Sequence, residues 1–115
     1  MIIETLKCNE VCDGNSIEYT YRLIERELSI DDQGDKKVIG AYGIEVESEV
    51  KLTDESVQAF KSEIKYITPF KHRGIEFLNI LKNNSVSPIH LIDITEEYIE
   101  EYYSDFNENL DEIAN

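Results

Sequence analysis

Residues 38–50 read VIGAYGIEVESEV. Val38, Gly40, Tyr42, Ile44, Val46 and Val50 fall on one side of an extended chain, with Glu45, Glu47 and Glu49 on the other. Successive side chains of a strand point to opposite faces, so this alternation predicts a half-buried β-strand. Gly40 and Gly43 are costly inside a strand, which predicts a bulge or a close approach of another backbone.

Upstream, IEYTYRLIERELSI (17–30) alternates in the same way. Ile17, Tyr19, Tyr21 and Leu23 are separated by Glu18, Thr20 and Arg22. The phase then slips to Ile24, Leu28 and Ile30. A one-residue slip exchanges the faces, so a β-bulge near Leu23–Ile24 is expected. The polar DDQGDKK (31–37) joins the two strands as a hairpin, and CDGNS (12–16) is a second turn, with Asp-Gly supplying positive φ. A first strand is expected near 2–8.

KLTDESVQAFKSEIKYIT (51–68) supports two readings. Val57, Phe60, Ile64 and Ile67 have helical spacing after a Thr53–Asp54 cap. Ile64 and Tyr66 alternating with Glu63 and Lys65 favour a further antiparallel strand near 61–67. Two helices follow. Thr68 as N-cap with Pro69 at N1 opens one near 69–83, burying Phe70, Gly74, Phe77, Leu78 and Leu81. Ser87 and Pro88 repeat that grammar for a helix near 88–104. Its core side is expected along Ile89, Ile92, Ile99, Tyr103 and Phe106, widened by Leu91, Tyr98 and Tyr102. The fold class is therefore α+β: a small antiparallel sheet of three or four strands, packed on one face by two C-terminal helices. Residues 1–106 form one domain and 107–115 an acidic, frayed tail.

The chain has 115 residues and a net charge of −14, from 25 acids and 11 bases. The last 33 residues hold nine of those acids and no Lys or Arg. Such acidity argues against nucleic acid and membrane as partners, since both are polyanions that attract Lys and Arg. It leaves room for a basic protein partner or a homodimer through a sheet edge. There is no basic region followed by a long apolar run, so a cytoplasmic location is expected. Cys8 and Cys12 are expected as reduced thiols, since no export signal is read in the sequence, and their spacing relative to His72 and His90 matches no compact zinc pattern.

YGIEVE (42–47), YITP (66–69) and NNSVSPIHLIDI (83–94) resemble a family of small uncharacterised bacterial proteins. It is a domain of unknown function common in AT-rich, spore-forming Gram-positive bacteria, and the Ile-, Asn- and Glu-rich usage suits such a genome. The resemblance covers residues 17–104. It implies a compact cytosolic domain and transfers no activity, ligand or catalytic residue.

The residues themselves carry two further candidates. Tyr98 and Tyr102, beside Glu97 and Glu101, combine apolar rings and charge suited to a protein interface. His90 and Asp93, three apart on one helix, could form half of a catalytic or metal-orienting pair. Against that, His90 in the first turn can serve the helix cap, and Asp93 there complements the helix dipole. The cap is the expected role for His90. Lys71, His72 and Arg73 form the one dense basic cluster; at a helix N-terminus it could hold an anion, but surface salt bridges are the expected role, one version having it face the acidic last helix within the chain or across a dimer. No phosphate loop, Gly-x-Ser-x-Gly or His-Glu-x-x-His is present. The sequence thus predicts a non-enzymatic interaction or regulatory module with no catalytic residue, cofactor or metal. A small-molecule or metal site around His90 and Asp93 is the alternative.

Overall fold

The computed structural model describes residues 1–52 and 54–114, and their side chains except those of 32 and 107–114. Four strands form one antiparallel meander: β1 (Ile2–Cys12), β2 (Asn15–Asp32), β3 (Asp35–Lys51) and β4 (Val57–Thr68). Helix α1 (Lys71–Asn83) follows. A 3-10 turn (Pro88–His90) then leads into α2 (Leu91–Glu96) and α3 (Ile99–Ala114). The fold is α+β, as the alternation predicts. The stretch expected as helix or strand after residue 54 is strand, and the Thr53 part of its expected cap lies outside the described residues. The tail expected over 107–115 lies outside the residues whose side chains are described.

Both first hairpins close on two-residue turns with positive φ at both positions, Asp13–Gly14 (51° and 79°) and Gln33–Gly34 (53° and 88°). That geometry matches the right-handed twist of the strands. β2 and β3 pair without a break from Ser16↔Lys51 to Asp32↔Asp35. At about 3.3 Å per residue, strands this long set the 58 Å length of the molecule.

The phase slip in β2 is real, but its bulge lies in the neighbouring strand. β1 takes two steps, from Ile2 to Glu4, where β2 takes one, from Ile24 to Leu23. β2 itself runs straight, so its apolar set changes face. Tyr19, Tyr21 and Leu23 point to the helices. Beyond the end of β1, Leu28 and Ile39 pair on the opposite face. Ile39 is buried there, and the end of β4 reaches across toward β2 nearby. The Tyr66 hydroxyl donates to the Glu27 carbonyl at 3.0 Å, spanning β3. Arg26 donates to the Lys65 carbonyl and to Glu63, each at 3.1 Å.

This crossing needs Gly43. β4 spends four residues, Ile64 to Thr68, where β3 spends two, Ile44 to Tyr42. The resulting bulge brings the Ile64 and Lys65 carbonyls onto the Gly43 Cα, where a Cβ would collide with them. Gly40, by contrast, has open space around it, so the close approach expected at both glycines holds for Gly43 alone.

The core lies between the helices and one sheet face. Tyr21, Leu23, Ile44 and Val46 meet Phe77, Leu78, Leu81, Leu91 and Tyr102, all at most 1% exposed. α1 buries Gly74, Phe77, Leu78 and Leu81 as predicted, whereas Phe70, expected with them, is the N-cap and only half-buried. The other sheet face is covered by a grid of ion pairs: Arg22 to Glu45 at 2.8 Å, Lys61 to Glu45 at 3.2 Å, and Lys7 to Glu18 at 3.5 Å.

Three expectations about the helices change. α1 starts at Lys71 because Thr68 still belongs to β4, opposite Tyr42. Thr68 therefore does not cap α1, and Pro69 lies before the helix. The Thr68 hydroxyl instead accepts the Phe70 N–H at 3.2 Å and donates to Asp105 at 2.9 Å. The single helix expected over 88–104 is three pieces. The buried Thr95 hydroxyl donates to the Leu91 carbonyl at 2.7 Å, and the next amides fall back to three-residue bonds, Glu97 to Ile94 and Tyr98 to Thr95. A side chain competing for a backbone acceptor bends a helix in this way. Finally, the buried side of this segment carries Leu91, Thr95, Tyr102 and Asp105, while Ile89, Ile92 and Tyr103 face solvent. The core stripe expected along Ile89, Ile92 and Tyr103 is thus turned outward at those residues.

Candidate functional site

Two of the four expected interface residues, Tyr98 and Tyr102, are used inside the fold. Tyr102 is 1% exposed, and its ring meets Phe77 edge-on at 5.3 Å. Tyr98 is half-buried against the same Phe77. Glu101 accepts from Arg73 at 2.7 Å, and Arg73 also donates to Asp105 at 3.2 Å while lying 5.5 Å over the Tyr102 ring. These carboxylates hold the Arg73 guanidinium charge firmly, raising its pKa. The basic cluster therefore does face the acidic helix, through Arg73. Lys71 and His72 are exposed, and His72 stacks on Phe70. Of the four expected interface residues, Glu97 and Glu101 remain at the surface and Tyr102 does not.

His90 stands where the 3-10 turn meets α2. Its side chain makes no cap hydrogen bond and is 67% exposed, so the expected cap role is not the one the fold gives it. Its Nδ1 lies 3.9 Å from the Asp93 carboxylate, a loose contact between two solvated groups. Asp93 points away, but His90 borders a cleft of about 520 Å³. Glu10, Tyr19, Asn84, Ser85, Val86, Ser87 and Ile94 complete its lining.

The cleft arises from long-range packing. β1 and β2 supply Glu10 and Tyr19 on the helix side of the sheet. The opposite wall is the segment leaving α1, where Asn84 closes the helix with its N–H and side-chain amide both on the Ile80 carbonyl. Ser85 then turns the chain at a φ of 48°. The Tyr21 hydroxyl donates to the Val86 carbonyl at 2.9 Å, and the Cys8 thiol reaches that hydroxyl at 3.8 Å. This network fixes the cleft floor to the sheet. The Tyr19 hydroxyl donates to Glu10 at 3.2 Å, steadying the carboxylate at the rim. Ser87 has the extended backbone of an N-cap, yet its hydroxyl makes no cap bond; it is buried without a protein partner. Both cysteines are free, and no cluster of three or more His, Cys, Asp or Glu fit to hold a metal occurs among the described residues.

Burial raises the pKa of Tyr19, Tyr21, Tyr42 and Tyr102, that of Tyr102 to about 12. At Tyr19 the hydrogen bond to Glu10 adds to burial, and at Tyr21 the bond from Cys8 does so. These groups keep their protons in the folded chain at pH values where the unfolded chain, with tyrosines near 10.0, has lost them. Their contribution is complete below about pH 10 and is lost as pH rises through the folded values, by up to about 1.4 kcal/mol per pH unit per tyrosine. Denaturant unfolding at pH 9, 10 and 11 is expected to show stability falling above pH 10. Replacing Tyr21 and Tyr102 by Phe should flatten that fall; an undiminished slope in the double variant would refute its origin.

Sequence comparison matches residues 1–101 to the Family of unknown function (DUF6514), and the chain belongs to that family. No curated protein and no solved structure matches the chain. No helix among the described residues is long and apolar enough to cross a membrane.

Proposed function

We propose that this member of a family of unknown function is a non-enzymatic interaction module that binds a basic protein. The observation carrying this reading is a solvated stripe on the 3-10 turn and α2. Ile89 is 76% and Ile92 55% exposed, one helical turn apart, and the exposed Asp93, Glu96 and Glu97 surround them. Exposed isoleucines spaced in this way suit an apolar contact, and the carboxylates around them suit a partner rich in Lys and Arg. The stripe replaces the Tyr102-centred surface, whose ring is in the core. A second copy of the chain is a poorer occupant, because symmetric pairing would set these carboxylates against each other.

Ile89→Asp with Ile92→Asp tests this, since both side chains face water and the fold should survive. Capture from the native cell with wild-type and variant baits is expected to lose a set of basic proteins from the variant. Binding of a captured protein should weaken at least about 30-fold, as for a central contact. It should also weaken in high salt, where exposed charges are screened. A variant with native circular dichroism and an unchanged set of captured proteins would refute the reading.

A further inference from the structure

We infer that the cleft between β1, β2 and the segment after α1 is a binding site for a small organic amine in its ammonium form. Four observations converge there. The Glu10 carboxylate stands at the rim, held by the Tyr19 hydroxyl at 3.2 Å. Among the described residues that line the cleft there is no Lys or Arg to offset that charge, and His90 is the one basic side chain. The wall from Asn84 to Ser87 immediately follows the last turn of α1, whose carbonyl end carries the negative pole of the helix dipole, offset in part by Lys82 in that turn. The Ser87 hydroxyl is buried without a partner, and a buried polar atom of that kind is costly unless something supplies its hydrogen bond.

An ammonium group matches this set. It has three donors and no acceptor. Glu10 can accept one, and the Ser87 hydroxyl a second where the amine opens a path to that buried oxygen; Tyr19 lies beside them. Tyr19, Val86 and Ile94 give the alkyl part of an amine an apolar wall. An anion of the same size would meet Glu10 and the helix pole unfavourably, and a neutral alcohol would gain nothing from either. The net charge of −14 draws small cations toward the whole molecule. Glu10 and the Ser87 hydroxyl, rather than overall charge, supply selectivity within the cleft.

The test uses the full chain, labelled with nitrogen-15, and three probes of matched length: n-butylamine, n-butanol and butyrate. n-Butylamine is expected to bind saturably in the millimolar range, shifting amide signals of residues 10, 19 and 84–90. n-Butanol and butyrate should bind at least tenfold more weakly. Glu10→Gln should weaken n-butylamine at least tenfold and Ser87→Ala at least threefold. Glu100→Gln, which removes the same charge from an exposed position outside the cleft, should leave affinity within twofold. The proposal is overturned if n-butylamine gives no saturable shifts in these residues, if Glu10→Gln binds as wild type does, or if Glu100→Gln weakens binding as much as Glu10→Gln. Glu10 is exposed, so its variant should keep the fold, which the unchanged spectrum elsewhere will verify.

Discussion

Gly43→Ala is expected to destabilise the protein by at least about 3 kcal/mol, near the upper end of the usual overpacking range. The added Cβ would meet the main-chain carbonyls of Lys65 and Ile64. Backbone cannot swing aside as a leucine side chain can, so β4 must move off β3. That movement would strain the bulge with everything fastened to it. Arg26 would lose the Lys65 carbonyl, Tyr66 the Glu27 carbonyl, and Thr68 its place beside Asp105. Gly40→Ala, three residues away in the same strand, is the internal control. Its Cβ would lie 4.0 Å from one Glu25 carboxylate oxygen and touch nothing else. It should be neutral or add up to about 1 kcal/mol, because alanine loses less backbone entropy on folding than glycine. Urea unfolding followed by circular dichroism measures both. A Gly43→Ala protein within about 1 kcal/mol of wild type would remove the close approach from this account. So would a Gly40→Ala protein equally damaged.

The contrast between these glycines shows how far local pattern carries. Period-two alternation in VIGAYGIEVESEV states the strand and its buried face, because pleating is a property of neighbouring residues. It states equally that both glycines are unusual. It cannot say which of them another backbone crosses, since that depends on a bulge over twenty residues away in β4. The slip at Leu23–Ile24 has the same character. The sequence shows that β2 changes its apolar face, but the extra residue that accommodates the change lies in β1. The last helical segment fails for another reason. Its apolar wheel favours Ile89, Ile92 and Tyr103, and an unbroken helix would bury them. The Thr95 hydroxyl breaks the segment, and Arg73 draws the carboxylate of Asp105 inward. A buried acid reads as solvent-facing until its partner is known. The cleft was the least legible feature. His90 was visible as an unusual residue, but Glu10, Tyr19 and Ser87 come from distant parts of the chain, and only the unused capping position of Ser87 left a local trace.

The second large effect follows from that buried acid. Arg73→Ala is expected to cost about 3–5 kcal/mol, the range for removing one partner of a buried ion pair. The Asp105 side chain is 3% exposed, and Arg73 supplies it two hydrogen bonds, at 3.2 and 3.3 Å. Without the guanidinium, the Thr68 hydroxyl alone would face a carboxylate removed from water. Arg73→Lys should recover part of the loss, because lysine restores the charge but cannot fork to both oxygens. Glu101→Gln should cost less than about 1 kcal/mol: that carboxylate is 58% exposed, and water can replace its partner. Replacing the pair together, Arg73→Met with Asp105→Leu, should recover most of the stability lost by Arg73→Ala, since no charge is then left buried. The cycle separates two views of α3. If the pair mainly fixes how α3 sits on the sheet, the apolar double variant keeps its helix content and its amine cleft. The described lining of the cleft comes from β1, β2 and residues 84–94, and none of these described residues lies on α3. If Arg73→Ala instead abolishes amine binding at temperatures where β-sheet circular dichroism persists, α3 and the cleft fold as one cooperative unit, and the ion pair secures the site from a distance.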